Sequence, residues 1–318
     1  LGDGFHQYVI FDVALRNILH GNGSLFYTFT SGLGLNFYAL SSYYLGSFLS
    51  PLVYFFNLSN MPDAVYLTTL LKFGLIGLST YFSLNKLFQS IPNPLKLALS
   101  TSYSLMSFTV SQLEIKTWLD VFILIPLIIT GLHLLITENK RLLYFTSLSI
   151  LFIQNYYFAY MTALFLFFWY LCQISWNFKI RRLSFLDFVV TSFLAGLTSS
   201  IMTLPTLLDL RTHGEKLTAI TKFKTDSSWY LDVFSKQFIG SFDTTKYGSI
   251  PMIFVGLLPF ILTVLFFTLK SIQFHVKLVY GMFFTILIAS FYIEALDLFW
   301  QGMHTPNMFL HRYAWIFS

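Results

Sequence analysis

The chain opens LGDGFHQY, so that Asp3 stands between two glycines directly ahead of an apolar run. Glycines let the backbone approach another group closely and leave the carboxylate without steric cover. An acid so placed can take a proton from a hydroxyl. It can equally cap the helix that follows, satisfying orphan N–H groups and suiting the helix dipole. Gln7 and Tyr8, in the same stretch, are candidates for binding substrate.

EIKTWLD, with Glu114, Lys116, Trp118 and Asp120, leads into a long apolar run. Trp118 suits the membrane interface or a sugar-stacking role, and Asp120 suits a helix start. An acid inside the membrane boundary also tends to face protein or a wet cavity, so Asp120 is a second candidate ligand. Lys72, inside the apolar TTLLKFGLIG, must snorkel outward or pair with an acid in the bundle, and a structural pair is favoured. Further on, IQNYYFAYM brings Gln154, Asn155, Tyr156, Tyr157 and Tyr160 together. Amides and tyrosines form an interfacial belt in many membrane proteins. They also bind sugars by stacking and paired hydrogen bonds, so Asn155, Tyr156 and Tyr157 are retained as substrate-binding candidates.

Lys222 and Lys224 in TKFKT could receive an anionic phosphate, although a solvated loop accounts for them equally well. The terminal LDLFWQGMHTPNMFLHRYAW is densest in functional groups: His304, Asn307, His311 and Arg312 crowd around Pro306. Arginine recognises phosphate bidentately and histidine handles protons. His304 and His311 could pair on a metal but lack a local third ligand, so no cofactor is expected, and a divalent metal stays open without support from the sequence. GLGLN lacks the spacing and lysine of a phosphate loop.

These residues must be carried by membrane helices. Of 318 residues, 56% are hydrophobic and only 10% charged, against about a quarter in ordinary soluble domains. The net charge of +5 is spread over short loops between apolar runs, which argues for anionic headgroups and not for nucleic acid. The one cysteine, Cys172, excludes a disulfide framework. Eight apolar runs, near 62–85, 95–112, 118–137, 142–155, 157–177, 185–208, 251–269 and 278–297, predict spans in one all-α, polytopic helical bundle. That single membrane domain, 1–318, would comprise an interfacial segment 1–60, six spans over 62–208, a loop 209–250, two spans over 251–297 and a terminal motif 298–318.

Lys86, Lys96, Lys140, Arg141, Lys179, Arg181, Arg182, Lys270 and Lys277 fall in alternate short loops. The positive-inside rule makes those loops cytoplasmic and sets every candidate site on the outside. In FHQYVIFDVALRNILHG, the residues Phe5, Val9, Ile10, Val13 and Ile18 share one helical face, which predicts an amphipathic helix in the outer interface. A second interfacial helix is expected to run to Pro51. The start at Leu1 and the aromatic end at Ser318 lead us to expect a fragment of a longer chain, with a spanning helix upstream.

Taken in order, GD…QY, SLFYTFTSGLG, TWLD…LIPLIITGLHLLI, NYYFAYM, LPTLL and TPNMFLHRYAW resemble the YfhO family of bacterial membrane proteins across the whole chain. The resemblance implies a GT-C-like fold and a membrane glycosyltransferase, expected to be inverting. It further implies a sugar donor on a polyprenyl phosphate such as undecaprenyl phosphate, and an acceptor such as lipoteichoic acid or a related wall polymer. The setting would be the outer face of the plasma membrane in a Gram-positive bacterium. GT-C enzymes carry an active-site acid in the first outer loop, and Asp3 matches that position. The alternatives are a transporter or flippase of lipid-linked sugars or wall polymer, and a non-catalytic scaffold of wall synthesis.

Overall fold

The structure, a computed structural model, describes residues 2, 4–29, 33–213, 217–225, 229–238, 253–306 and 310–318. It is an all-α membrane protein, with one two-stranded ribbon among the described residues. A π-turn, Gly4–Tyr8, runs into α1 (Val9–Leu19). The ribbon pairs β1 (Tyr27–Thr28) with β2 (Leu35–Asn36), and the Asn36 side chain then caps α2 (Phe37–Tyr44) by accepting from the Tyr38 and Ala39 amides. Next come α3 (Met61–Leu87), α4 (Asn93–Ser104), α5 (Ser107–Ser111), α6 (Lys116–Glu138), α7 (Leu142–Gln154) and α8 (Tyr156–Ser175). The remaining helices are α9 (Phe178–Arg181), α10 (Phe185–Thr198), α11 (Ser200–His213), α12 (Asp232–Ser235), α13 (Leu257–Thr268), α14 (Phe274–Ser290) and α15 (Glu294–Trp300).

All eight apolar runs contain helix, but length separates them. Among the described residues three helices are long and apolar enough to cross a membrane: Leu58–Leu87, Lys116–Glu138 and Tyr156–Ser175. A fourth span results if Phe178–Thr198 and Ser200–Thr212, bent by 72°, count as one. The run near 95–112 instead breaks after Ser104, and α7, α13 and α14 are 13, 12 and 17 residues long. The second interfacial helix stops at Tyr44, and a 3-10 helix occupies Ser50–Phe55.

The chain folds as two compact units. The first comprises residues 1–105, 112–159 and 184–214. Its centre is α6, which is buried almost all round and packs between α3 and α7. Asn139 ends it in the left-handed conformation (φ 56°), and the Lys140 amide reaches back to the Leu134 carbonyl. Helix α3 buries Met61, Ala64, Thr68, Lys72, Ile76, Ser79, Thr80 and Ser83 at helical spacing. Against it lie Lys96, Ser100 and Ser104 of α4, with Ser104 Oγ donating to the Phe73 carbonyl at 2.6 Å. Such small, polar contacts substitute for the hydrophobic drive that lipid removes.

Gly131 brings α6 onto α7: a Cβ there would lie 2.4 Å from Tyr144 N and 2.6 Å from its Cα. Gly131→Ala should therefore destabilise the protein by about 1–3 kcal/mol. The check is the unfolding midpoint in detergent, and an unchanged midpoint would contradict this close packing.

In the second unit, residues 106–111, 160–183 and 215–318, aromatic rings make the core. Tyr313 stacks between Phe291 and Trp300 at centroid distances of 5.5 and 5.6 Å. Ser290, at the end of α14, fixes them: its Oγ accepts from Trp300 Nε1 at 3.0 Å and its carbonyl from the Tyr313 hydroxyl at 2.7 Å.

Candidate functional site

The opening helix packs Val9, Val13 and Ile18 of its apolar face against the protein and buries a charged residue beside them. Phe5 and Ile10 are exposed, while Tyr8, Asp12 and Ala14 are buried. The reason is a partner far away in sequence. Lys116 Nζ forms an ion pair with Asp12 Oδ2, and its ammonium lies 5.7 Å from the centre of the Tyr8 ring. The Tyr8 hydroxyl hydrogen-bonds Thr117 Oγ1 at 3.0 Å. Burial pushes the Asp12 carboxyl above its ordinary value, and the charges of Lys116 and Lys72 oppose that shift.

A second ion pair adjoins the first. Lys72 Nζ donates to Asp120 Oδ2 at 2.6 Å and to the Lys116 carbonyl at 2.9 Å. Asp120 Oδ1 accepts from Ser47 Oγ at 2.7 Å. Lys72 is thus the bundle pair expected for it, with Asp120 as its acid. Asp12, Lys72, Lys116 and Asp120 are each at most 4% exposed, so two cations and two anions share one dry layer. Buried charges are sustained in apolar surroundings only when paired, and each of the four has its counter-ion here, while Asp12 Oδ1 is buried without a hydrogen-bond partner among the described residues.

Above this layer, Trp118 is 2% exposed and packs on Phe158, so its ring faces are covered. Its Nε1 donates to the Tyr43 hydroxyl at 3.4 Å, and Tyr43 lies 6.3 Å from the Tyr156 ring. Tyr43, Tyr156 and Tyr157 are half-buried. Gln7 is half-buried on the π-turn. Asn155 is fully buried, and its Oδ1 accepts from the Phe158 amide at 3.0 Å, which caps the start of α8. Asp3 and Asn307 lie outside the described residues.

The second unit holds the terminal motif. His311 is buried, has a left-handed backbone (φ 54°), and places Nδ1 2.6 Å from Asp297 Oδ1. A carboxylate only accepts, so Nδ1 carries the proton in this bond. Arg312, half-buried, begins the 3-10 turn Arg312–Ile316. His304 is also half-buried, close after Gly302 and Met303, whose φ values are 68° and 63°. Left-handed residues other than glycine are strained, and such strain clusters at functional sites. Lys222 and Lys224 have exposed side chains. Their backbone is fixed by Glu294, whose Oε2 accepts from the Lys222 amide at 2.7 Å, and by a bridge between Lys224 and Ile293.

Three residues that the structure makes central are not singled out as ligands by the sequence: Asp12, Tyr43 and Asp297. A signal for the two acids exists. In a chain with 10% charged residues, an acid beside an apolar run needs a partner, but the sequence does not say which. Among the described residues no three His, Cys, Asp or Glu side chains come together to hold a metal ion.

Neither a curated protein nor a solved structure matches the chain. Residues 1–318 do match one family, described as bacterial membrane protein YfhO. The match extends over the whole length, including the α1 segment, the Trp118–Asp120 entry to α6 and the His311–Arg312 turn. The chain therefore belongs to the YfhO family of bacterial membrane proteins.

Proposed function

We propose that the protein is a GT-C-type membrane glycosyltransferase. It transfers a sugar from a polyprenyl-phosphate donor, undecaprenyl phosphate being the expected carrier, to a wall polymer such as lipoteichoic acid. The reaction takes place on the outer face of the plasma membrane, and a Gram-positive bacterium is the setting. Family membership over residues 1–318 is the observation that carries this reading.

The step is an inverting displacement. An acceptor hydroxyl oxygen attacks the anomeric carbon, a new C–O bond forms, and the bond from that carbon to the phosphate oxygen breaks. Asp3 takes the hydroxyl proton. The lipid phosphate leaves with the electron pair as a stable anion, so no strong acid is required. Arg312 is suited by type to receive that anion, with His311 beside it in sequence. Tyr156 and Tyr157, both half-buried, remain the candidates for stacking on the sugar.

The test is transfer by purified protein in liposomes, with radiolabelled undecaprenyl-phosphate hexoses and lipoteichoic acid, run with and without chelator. Label should enter the polymer only when donor and acceptor are both present. No incorporation from any hexose donor, by protein shown to be folded, would overturn the assignment.

A further inference from the structure

We infer that the four-charge layer is a positioning device: it fixes the segment Gly4–Leu19, directly after Asp3, onto the membrane helices. In this reading Asp12, Lys116, Lys72 and Asp120 hold the site in place and do not bind substrate. The inference rests on the proposed transfer only for its effect on turnover.

Charge, burial and connectivity argue for it together. The four groups come from three separate elements: Asp12 from α1, Lys72 from α3, and Lys116 and Asp120 from α6. Ser47 adds the loop after α2. Their formal charges sum to zero, so the cluster has no net charge with which to attract an anionic substrate. Both Asp120 oxygens are already bonded within the protein, to Ser47 and Lys72. The niche beside Lys72 and Lys116, lined also by Leu49, Ser50, Val53 and Thr68, is too narrow to enclose a water molecule.

Without the ion pair, α1 would be held by the Arg16 Nε bond to the Phe56 carbonyl and by apolar contacts. The latter are Ala14 with Phe37 and Leu45, and Val9 and Val13 against Val53, Met61 and Ala64. Apolar contacts of this kind tolerate sliding and rotation. A buried ion pair does not, because any slip leaves two charges unpaired. The network therefore sets the register of α1 on α6, while the packing supplies most of its adhesion. At the other end of the segment, Gly4 lies against the Glu114 backbone, where an added Cβ would be 3.8 Å from the carbonyl oxygen.

The experiment is hydrogen–deuterium exchange of the whole protein in lipid nanodiscs, paired with the transfer assay. Asp12→Asn and Lys116→Met should each raise exchange across Val9–Leu19 by about tenfold or more, with α6 still protected. The double variant should be no worse than the worse single, because both changes break one bond. Asp120→Asn should also loosen Val9–Leu19, and should lower kcat with KM for the lipid-linked sugar within about twofold of wild type. Unchanged exchange in the single variants, or additive effects in the double, would overturn the inference. So would a raised KM in Asp120→Asn with exchange unaltered, which would make Asp120 a substrate ligand. Should Asp12→Asn fail to fold, Ser47→Ala removes two peripheral hydrogen bonds, to Asp120 and from the Leu49 amide, and must still raise exchange around residues 45–50 and across Val9–Leu19. If wild type shows no transfer, the exchange results still decide the positioning role, and only the proposed function falls.

Discussion

Replacing Asp3 with Asn should lower sugar transfer by about 10²–10⁴-fold, the usual contribution of a general base, while membrane insertion and folding stay normal. This substitution is informative because it separates the two roles open to Asp3. Asparagine is as good a helix cap as aspartate, with a side-chain oxygen that accepts the same backbone N–H groups. It has no basic oxygen with which to take a proton. A capping role therefore predicts nearly full activity in Asp3→Asn and reduced stability in Asp3→Ala. A base predicts that both variants are inactive. The measurement is initial transfer rate per folded protein, with insertion checked by protease protection in the same vesicles. Full activity of Asp3→Asn would remove Asp3 from the reaction and leave it as a cap.

The second large effect concerns stability. Lys72→Met should destabilise the protein by about 3–5 kcal/mol, because it strands the Asp120 carboxylate in a dry interior. Asp120 is 1% exposed, and Ser47 would be its remaining hydrogen-bond donor. The same reasoning predicts recovery. Pairing Lys72→Met with Asp120→Leu removes both charges, and replacing a buried ion pair with apolar side chains is often neutral or stabilising. Most of the lost stability should return in the double variant, as read from unfolding midpoints in a denaturing-detergent titration. A double variant as unstable as the sum of its singles would show that Lys72 and Asp120 act separately.

These two predictions mark how far the sequence could be read. Helical class follows from apolar runs that are long and nearly free of charge, and the three longest helices, α3, α6 and α8, begin and end close to them. Lys116–Glu138 and Tyr156–Ser175 match the expected 118–137 and 157–177 within a few residues. Where the sequence misleads, the cause is local. The run near 95–112 reads as one span, yet it breaks after Ser104. The run near 185–208 bends by 72° at Ser199, because hydroxyl side chains such as Ser199 and Thr198 can bond the preceding turn and tolerate a break.

The face of α1 shows a different limit. Hydrophobicity groups Phe5, Val9, Ile10, Val13 and Ile18 on one face of an interfacial helix and gives Asp12 no partner. In the folded chain Asp12 is buried because Lys116, 104 positions later, meets it there. No periodicity encodes that partner. Likewise His311 is visible in the sequence as a proton-handling residue. Only the fold shows Asp297 holding it, on a backbone strained into the left-handed region.

Composition is enough to make this a helical membrane protein, and the ordered motifs are enough to assign its family. Both are consequences of composition and order along the chain, which the residues carry without folding. The folded chain is what pairs Asp12 with Lys116 and Asp120 with Lys72. A carboxylate in an apolar chain must find a cation, and which one it finds depends on distance in space.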